Sequence, residues 1–224
     1  MPGVVFDFDG VVCDSEPLHE RALRAAAESD GMGFTTETFR EHFIGMGEVG
    51  CFRALAELHG RVLSGPEIAE LSRRKVEAFG AVIDAEPPVP NRGACELIRA
   101  AAEAGAVALC SGSRRGEVVP ILERLGVLGL FGAVVTADDV DEPKPDPAGY
   151  RLACARIGIA PGEAVALEDS PPGLIAARAA GLATAAVCHS YPRDRLDADH
   201  IVERIDQLSI EVLLALATNG GRSA

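Results

Sequence analysis

The stretch Val4-Val5-Phe6-Asp7-Phe8-Asp9-Gly10-Val11-Val12-Cys13-Asp14-Ser15-Glu16-Pro17 decides the fold. It opens on a short apolar run rich in β-branched residues behind Pro2-Gly3, the pattern of a buried strand. Asp7 and Asp9 follow at its C-terminal end. In an open α/β sheet the crevice outside the carboxyl ends of the strands is where ligands bind. Two like charges placed there, with little access to water, are costly unless a cation or a proton offsets them. Gly10 lets the main chain turn sharply and approach a ligand closely. Taken alone, the same Asp-x-Asp also reads as a solvated acidic turn, and the rest of the chain has to separate the two readings.

Working outward, the chain from about residue 16 to 83 carries helical patterning and no convincing strand. Ser15 is a candidate cap, with Glu16 and Pro17 in the first turn of a helix over 17–29 that stops near Gly31. Further helices are expected over 36–43, over 48–59 behind the break Gly45-Met46-Gly47, and over 66–79 behind Ser64-Gly65. Helices this short must pack on one another, so a small α-bundle is predicted. Asp84-Ala85-Glu86-Pro87-Pro88-Val89-Pro90 then forms a stiff connector that cannot continue a helix.

Beyond Pro90 the pattern changes to alternation. Asn91 is expected to cap a helix ending at Gly105, followed by a strand over 106–110, the loop Ser111-Gly112-Ser113, and a helix over 115–125. A strand over 133–136 leads through an acidic loop to Pro143-Lys144-Pro145-Asp146-Pro147, where Asp146 caps a helix ending near Gly158. A strand over 164–167, a helix over 172–180, a strand over 184–187 and a last helix over 210–217 complete the chain, with a disordered tail expected over 219–224. Apolar strands alternating with helices predict a parallel sheet covered on both faces. The fold class is therefore α/β: a doubly wound, Rossmann-like parallel sheet formed by residues 1–14 and 88–224, with a helical-bundle domain of residues 15–87 inserted after the first strand.

Composition narrows the function. The chain has 224 residues, 48% hydrophobic and 25% charged, with no Trp. No apolar run approaches the roughly 20 residues that span a bilayer, and no basic leader precedes the first strand, so a cytoplasmic location is expected. The formal net charge of −13 argues against a nucleic-acid or anionic membrane partner, which calls for a basic patch. An anionic substrate would need local positive charge from a metal or a few well-placed Lys and Arg. The six cysteines are scattered, without a C-x-x-C pair, and read as buried free thiols with no catalytic role.

Four polar features fall at the C-terminal ends of four predicted strands: Asp7 with Asp9, Ser111, Lys144, and Glu168-Asp169. Each has a plain alternative, as a turn residue, a solvated loop lysine or a cap for the helix at Pro171-Pro172, but one α/β crevice would collect all of them. Together they suit phosphoryl transfer. Carboxylates supply hard ligands for Mg²⁺, the metal offsets their repulsion of an incoming phosphate, and an aspartate can form an aspartyl-phosphate. A hydroxyl and an ammonium can clamp the phosphoryl oxygens. A second carboxylate is needed to protonate the leaving alkoxide and then to deprotonate water.

These motifs resemble the haloacid dehalogenase superfamily, in the branch of β-phosphoglucomutase-like and phosphoglycolate-phosphatase-like enzymes with a helical cap. The resemblance spans nearly the whole chain, through Asp7-Phe8-Asp9-Gly10-Val11-Val12, Ser111 in Leu-Cys-Ser-Gly-Ser, Lys144 in Pro-Lys-Pro-Asp-Pro, and Glu168-Asp169-Ser170 with Gly173. It implies Asp7 as nucleophile and metal contact, and Asp9 as general acid/base with its carbonyl on the metal. It implies Asp169 as a metal ligand, Glu168 as a direct or water-mediated one, and Ser111 and Lys144 as phosphoryl-binding. The inserted bundle becomes a cap that excludes water, with hinges at 14–16 and about 83–90. His19 matches a position that contacts the acid/base and substrate, or is a solvated helix histidine. Halide-releasing relatives lack the second aspartate, so Asp9 points to phosphate chemistry.

A hexose-phosphate mutase must also grip a second phosphate, with help from a basic residue in the loop after the second cap helix. Here that loop is Ile44-Gly45-Met46-Gly47-Glu48, acidic where Arg or Lys is expected. Ser113, Arg114 and Arg115 offer another distal phosphate site, or an ordinary helix start. The expected activity is Mg²⁺-dependent hydrolysis of a small phosphorylated metabolite, with a phosphosugar mutase as the alternative. A non-catalytic phosphate-binding or interaction protein is the alternative of another class. A monomer is compatible with all three.

Overall fold

The structure, a computed structural model, describes residues 2–43, 46–86 and 88–220. The elements run β1 (Gly3–Phe6), α1 (Glu16–Glu28), α2 (Thr36–His42), α3 (Glu48–Leu58), α4 (Gly65–Ala85), α5 (Ala94–Ala104), β2 (Ala106–Cys110), α6 (Arg115–Arg124), β3 (Ala133–Val135), α7 (Ala148–Arg156), β4 (Ala164–Glu168), α8 (Pro171–Ala180), β5 (Ala183–Val187), β6 (His200–Val202) and α9 (Ile210–Gly220). The chain divides into two compact units, Met1–Asp14 with Val89–Ala224, and Ser15–Pro88.

The first unit is a six-stranded sheet in the order β3-β2-β1-β4-β5-β6, with every pairing parallel. The chain builds outward from β1 to one side and then returns to build the other, so the topological switch lies beside β1. Phe6 pairs with both Leu109 and Leu167. One residue further on, Asp7, Cys110 and Glu168 therefore come level at the carboxyl edge. β1, β4 and β5 are buried along their full length, as strands covered on both faces must be. Helix α5 buries Ala94, Leu97, Ile98 and Ala101, one stripe at helical spacing.

The second unit is a four-helix assembly around Leu23, Met32, Phe39, Phe43, Phe52, Leu55 and Leu71. Phe34 meets the Phe43 ring edge-on at 5.6 Å, an arrangement that favours aromatic pairs beyond their buried area. Helix α4 opens on Ser64, whose N–H donates to Glu67 Oε2 at 2.8 Å.

Several local expectations are corrected. Helix α4 does not stop at residue 79 but runs to Ala85, because Phe79 and Ile83, one turn apart, are both buried and carry the helix past Gly80. Asn91 does not cap α5. The cap position is Gly93 at φ +91°, and the Asn91 amide instead donates to the carbonyls of Gly10 at 2.8 Å and Val11 at 3.1 Å. Asp146 accepts from the Ala148 N–H at 2.9 Å, with Pro147 at the cap position rather than inside α7. Ser170, not Glu168 or Asp169, caps α8, accepting from the Gly173 N–H at 3.2 Å. The edge strand β6 was not anticipated; at three residues, behind Asp197-Ala198-Asp199, it leaves no readable alternation. Of the Ile44-to-Glu48 loop, Ile44 and Gly45 lie outside the described residues, as do Pro87 of the connector and residues 221–224 of the expected tail.

Candidate active site

The α/β unit gathers a buried acidic cluster at the carboxyl edge of its central strands. Asp7, Glu168 and Asp169 each bring a carboxylate oxygen within 4.8 Å of the others, and all three are buried. Asp7 follows β1, with its N–H on the Leu167 carbonyl at 2.9 Å. Glu168 ends β4. Lys144 reaches in from its proline-flanked loop and donates to Asp7 Oδ1 at 2.6 Å, to Glu168 Oε1 at 2.6 Å and to the Cys110 carbonyl at 3.0 Å.

The three carboxylates are not equally served. Glu168 Oε1 also accepts from the Tyr150 hydroxyl at 2.7 Å, and its Oε2 from the Asp169 and Ser170 N–H groups at 3.1 and 3.2 Å and the Ser170 hydroxyl at 2.9 Å. Asp169 Oδ2, in contrast, is buried and has no hydrogen-bond partner. Burial, with the charge of Glu168 behind it, pushes the Asp169 carboxyl up to about 8. The same two causes push Asp7 well above the usual carboxylate range. Burial alone would pull the Lys144 ammonium down, but Asp7 and Glu168 hold it well above the ordinary lysine value. One ammonium among three buried carboxylates leaves a deficit of positive charge, and the unpartnered Asp169 oxygen marks where it falls. The space there is kept by Gly10, at φ +75°: a Cβ at that position would lie 1.8 Å from Asp169 Oδ2.

Asp9 is not one of these three carboxylates, although its charge acts on Asp7 and Asp169. Its Oδ2 accepts from the Ser113 hydroxyl at 2.7 Å and faces the Ser111 hydroxyl at 3.4 Å. Ser111, buried just past β2, accepts the Ser113 N–H at 2.9 Å. A half-buried carboxylate held by hydroxyls and a deeply buried one held by an ammonium are two environments within one edge of the sheet.

Residues 1–181 match the haloacid dehalogenase-like hydrolase family. The chain belongs to that family. Among curated relatives, the fructose-1-phosphate phosphatase YqaB of Escherichia coli (strain K12) is 30% identical, over 80% of this chain and 93% of that protein. The β-phosphoglucomutase of Bacillus subtilis (strain 168) is 28% identical, over 95% and 94%. Among solved structures, CbbY from Rhodobacter sphaeroides in complex with phosphate superposes with a TM-score of 0.85 at 28% identity, covering 95% of this chain and 99% of that one. Within the haloacid dehalogenase-like hydrolases the chain is a phosphatase.

In this hydrolase Asp7, Asp9, Ser111, Ser113, Lys144, Glu168 and Asp169 all come together on the α/β unit. Arg114 pairs with Asp138 Oδ1 at 2.8 Å, and neighbouring Arg115 pairs with Asp139. His19 belongs to the helical unit, where its Nδ1 lies 3.3 Å from Lys75 Nζ and its ring 4.8 Å from that of Phe79. There Lys75, buried, also donates to Glu48 Oε2 at 3.3 Å. Cys13 has its thiol pushed up to about 12 by burial and by the charge of Asp9, which disfavours a thiolate.

Sequence reasoning missed Tyr150, Asn91 and Ser190. Tyr150 reads as one more core residue of α7, although a buried phenol needs a partner and that requirement was its only signal. Ser190, in the loop after β5, has a hydroxyl that pulls the Asp169 carboxyl down against the effect of burial, and nothing in its local sequence distinguishes it. Among the described residues no helix is long and apolar enough to cross a membrane.

Proposed function

We propose that this phosphatase hydrolyses a small phosphomonoester, a sugar phosphate or a similar metabolite, with Mg²⁺ and through a phosphoryl group carried on Asp7. The observation that supports it best is the Asp7 carboxylate, buried against Lys144 at 2.6 Å and adjoining an Asp169 oxygen that lacks a hydrogen-bond partner. The donor set fits Mg²⁺: hard carboxylate oxygens, a shortage of positive charge, and space kept by Gly10. Asp7 and Asp169 would hold the ion. Glu168, with both oxygens already accepting hydrogen bonds, would act through water. Bound Mg²⁺ supplies neutralising charge for the carboxylates and the phosphate, which would otherwise repel each other.

Asp7 attacks phosphorus; its O–P bond forms as the ester P–O bond breaks. The Asp9 carboxylic acid gives its proton to the departing alkoxide oxygen. Water then attacks the phosphorus of the acyl phosphate, the Asp7 O–P bond breaks, and Asp9 takes the water's proton as phosphate leaves. The Lys144 ammonium and the Ser111 hydroxyl hold phosphoryl oxygens throughout. The helical unit, residues 15–88, is assigned the role of a cap that keeps bulk water from the acyl phosphate. The acidic Glu48, engaged with Lys75, favours hydrolysis over the mutase alternative, because a second phosphate calls for free positive charge. A cytoplasmic setting suits its cysteines, all of them free.

The test is release of phosphate from p-nitrophenyl phosphate and a panel of metabolite phosphomonoesters, with Mg²⁺ and with EDTA. Magnesium-dependent turnover of at least one sugar phosphate is expected, and turnover unaffected by EDTA would overturn the reading. For the mutase alternative, β-glucose 1-phosphate with a bisphosphate primer should yield free phosphate; glucose 6-phosphate without phosphate release would reverse the choice.

A further inference from the structure

Ser113 is engaged in a way that its sequence position does not suggest. Its hydroxyl lies 2.7 Å from Asp9 Oδ2, closer than the Ser111 hydroxyl at 3.4 Å. The loop that presents it is tied down on both sides. The Ser113 N–H donates to Ser111 Oγ at 2.9 Å, the Ser113 carbonyl accepts the Ala137 N–H at 3.0 Å, and the next N–H, that of Arg114, is capped by Glu117 Oε2 at 3.0 Å. A hydroxyl held this firmly is a pre-organised partner. It can donate to a carboxylate and accept from a carboxylic acid, so the pair survives both protonation states of Asp9.

We propose that Ser113 is the positioning residue of the general acid. It holds the Asp9 carboxyl beside Ser111, so that the acid proton meets the leaving oxygen when phosphorus passes to Asp7. This rests on the role given to Asp9 above. It also moves Ser113 from a distal-phosphate contact to a partner of the proton donor, a role no local pattern in Ser111-Gly112-Ser113 encodes.

The experiment compares kcat/KM for p-nitrophenyl phosphate and phenyl phosphate across wild type, Ser113→Ala, Ser113→Thr, Asp9→Asn and the double variant. With kcat/KM, the step read is transfer to Asp7 with departure of the phenol. p-Nitrophenolate leaves with little need of a proton, whereas phenol, with a pKa of about 10 like tyrosine, needs one. Ser113→Ala should slow phenyl phosphate about ten- to a hundredfold, a part of the full worth of a general acid. Its loss on p-nitrophenyl phosphate should be roughly tenfold smaller or less. Ser113→Thr should restore most of the ratio between the two esters, because it restores the hydroxyl. The double variant should show no worse a ratio than Asp9→Asn alone, since the two residues act as one unit.

Equal losses on both esters, or additive losses in the double variant, would show instead that Ser113 binds phosphate or supports the fold. Loss of turnover in Ser113→Ala with a lowered melting temperature, but without rescue by Ser113→Thr, would overturn the proposal as well. Failure of the wild type to turn over either ester is a different result, and it would remove the Asp7 and Asp9 mechanism itself.

Discussion

Replacing Asp169 by asparagine should make the metal-stripped protein more stable at alkaline pH, although it removes a functional group. The Asp169 carboxyl titrates near 8 in the folded chain, against an ordinary value of 3.8, because it is buried beside Glu168 and has an oxygen without a partner. A folded-state pKa above the unfolded value means that the native protein holds a proton the unfolded chain has released. Stability therefore falls as pH rises from about 4 to about 8. At about 1.36 kcal/mol per pH unit, the whole interval corresponds to a ceiling of roughly 6 kcal/mol. The substituted amide still has to be buried in a polar cavity, so about 3 kcal/mol is the expected gain above pH 8. For a domain of this size that is a rise of roughly 6–12 °C in Tm.

The assay is thermal unfolding in EDTA at about pH 5 and about pH 9, followed by titration with Mg²⁺. Near pH 5 only about 1.6 of the roughly 6 kcal/mol has developed, so the advantage of the variant should be much smaller there than near pH 9 or absent. Near pH 9 the Asp169→Asn variant should be the more stable without metal, and the wild type alone should gain strongly from Mg²⁺. A wild-type Tm indifferent to pH in EDTA, or a variant less stable than wild type near pH 9, would refute the argument that the carboxylate cluster is short of positive charge.

Further perturbations follow from the same geometry. Asp7→Asn should nearly abolish turnover with the circular dichroism spectrum intact, and substantial residual rate would mean that water, not Asp7, attacks phosphorus. Lys144→Met leaves Asp7 and Glu168 without their shared ammonium and should cost about 3–5 kcal/mol near neutral pH; denaturant unfolding unchanged from wild type would contradict this. Asp139 tends upward through partial burial, yet hydrogen bonds from Arg156, Thr136 and Arg115 hold its carboxyl well below the usual range. Asp139→Asn should therefore cost roughly 1–3 kcal/mol above pH 4. That difference should shrink as acid protonates the wild-type carboxylate, and a difference constant down to about pH 2 would disprove the linkage.

Much of the α/β unit is legible in the sequence, because its signals are local. A β-branched run ending in Asp7, a helix stripe such as Ala94-Leu97-Ile98-Ala101, and a glycine or proline stop can be read within a dozen residues. Four such strands with polar residues at their ends imply one crevice, since a parallel sheet has only one carboxyl edge. Short edges carry too little pattern, and β6 was missed for that reason. Helix α4 continues past residue 79 to Ala85 because tertiary burial of Phe79 and Ile83 overrides a penalty of about 1 kcal/mol at Gly80, and that burial is not visible in a local reading.

What the sequence by itself determined was an inventory: two aspartates, a serine, a lysine and an acidic pair, each at the end of a strand. Tertiary structure decided how they divide the work. Glu168 and Asp169 are adjacent in the chain, yet one has both oxygens occupied, by Lys144, Tyr150 and the turn into α8, while the other keeps an oxygen without a partner. Ser113 and Asp9, 104 residues apart, meet through a hydroxyl, and Asn91 turns from a helix cap into a clamp on the loop that carries Asp9. Hydrogen bonding is short-ranged and directional, so which of several polar side chains reaches which oxygen depends on distances between loops that sequence proximity does not encode.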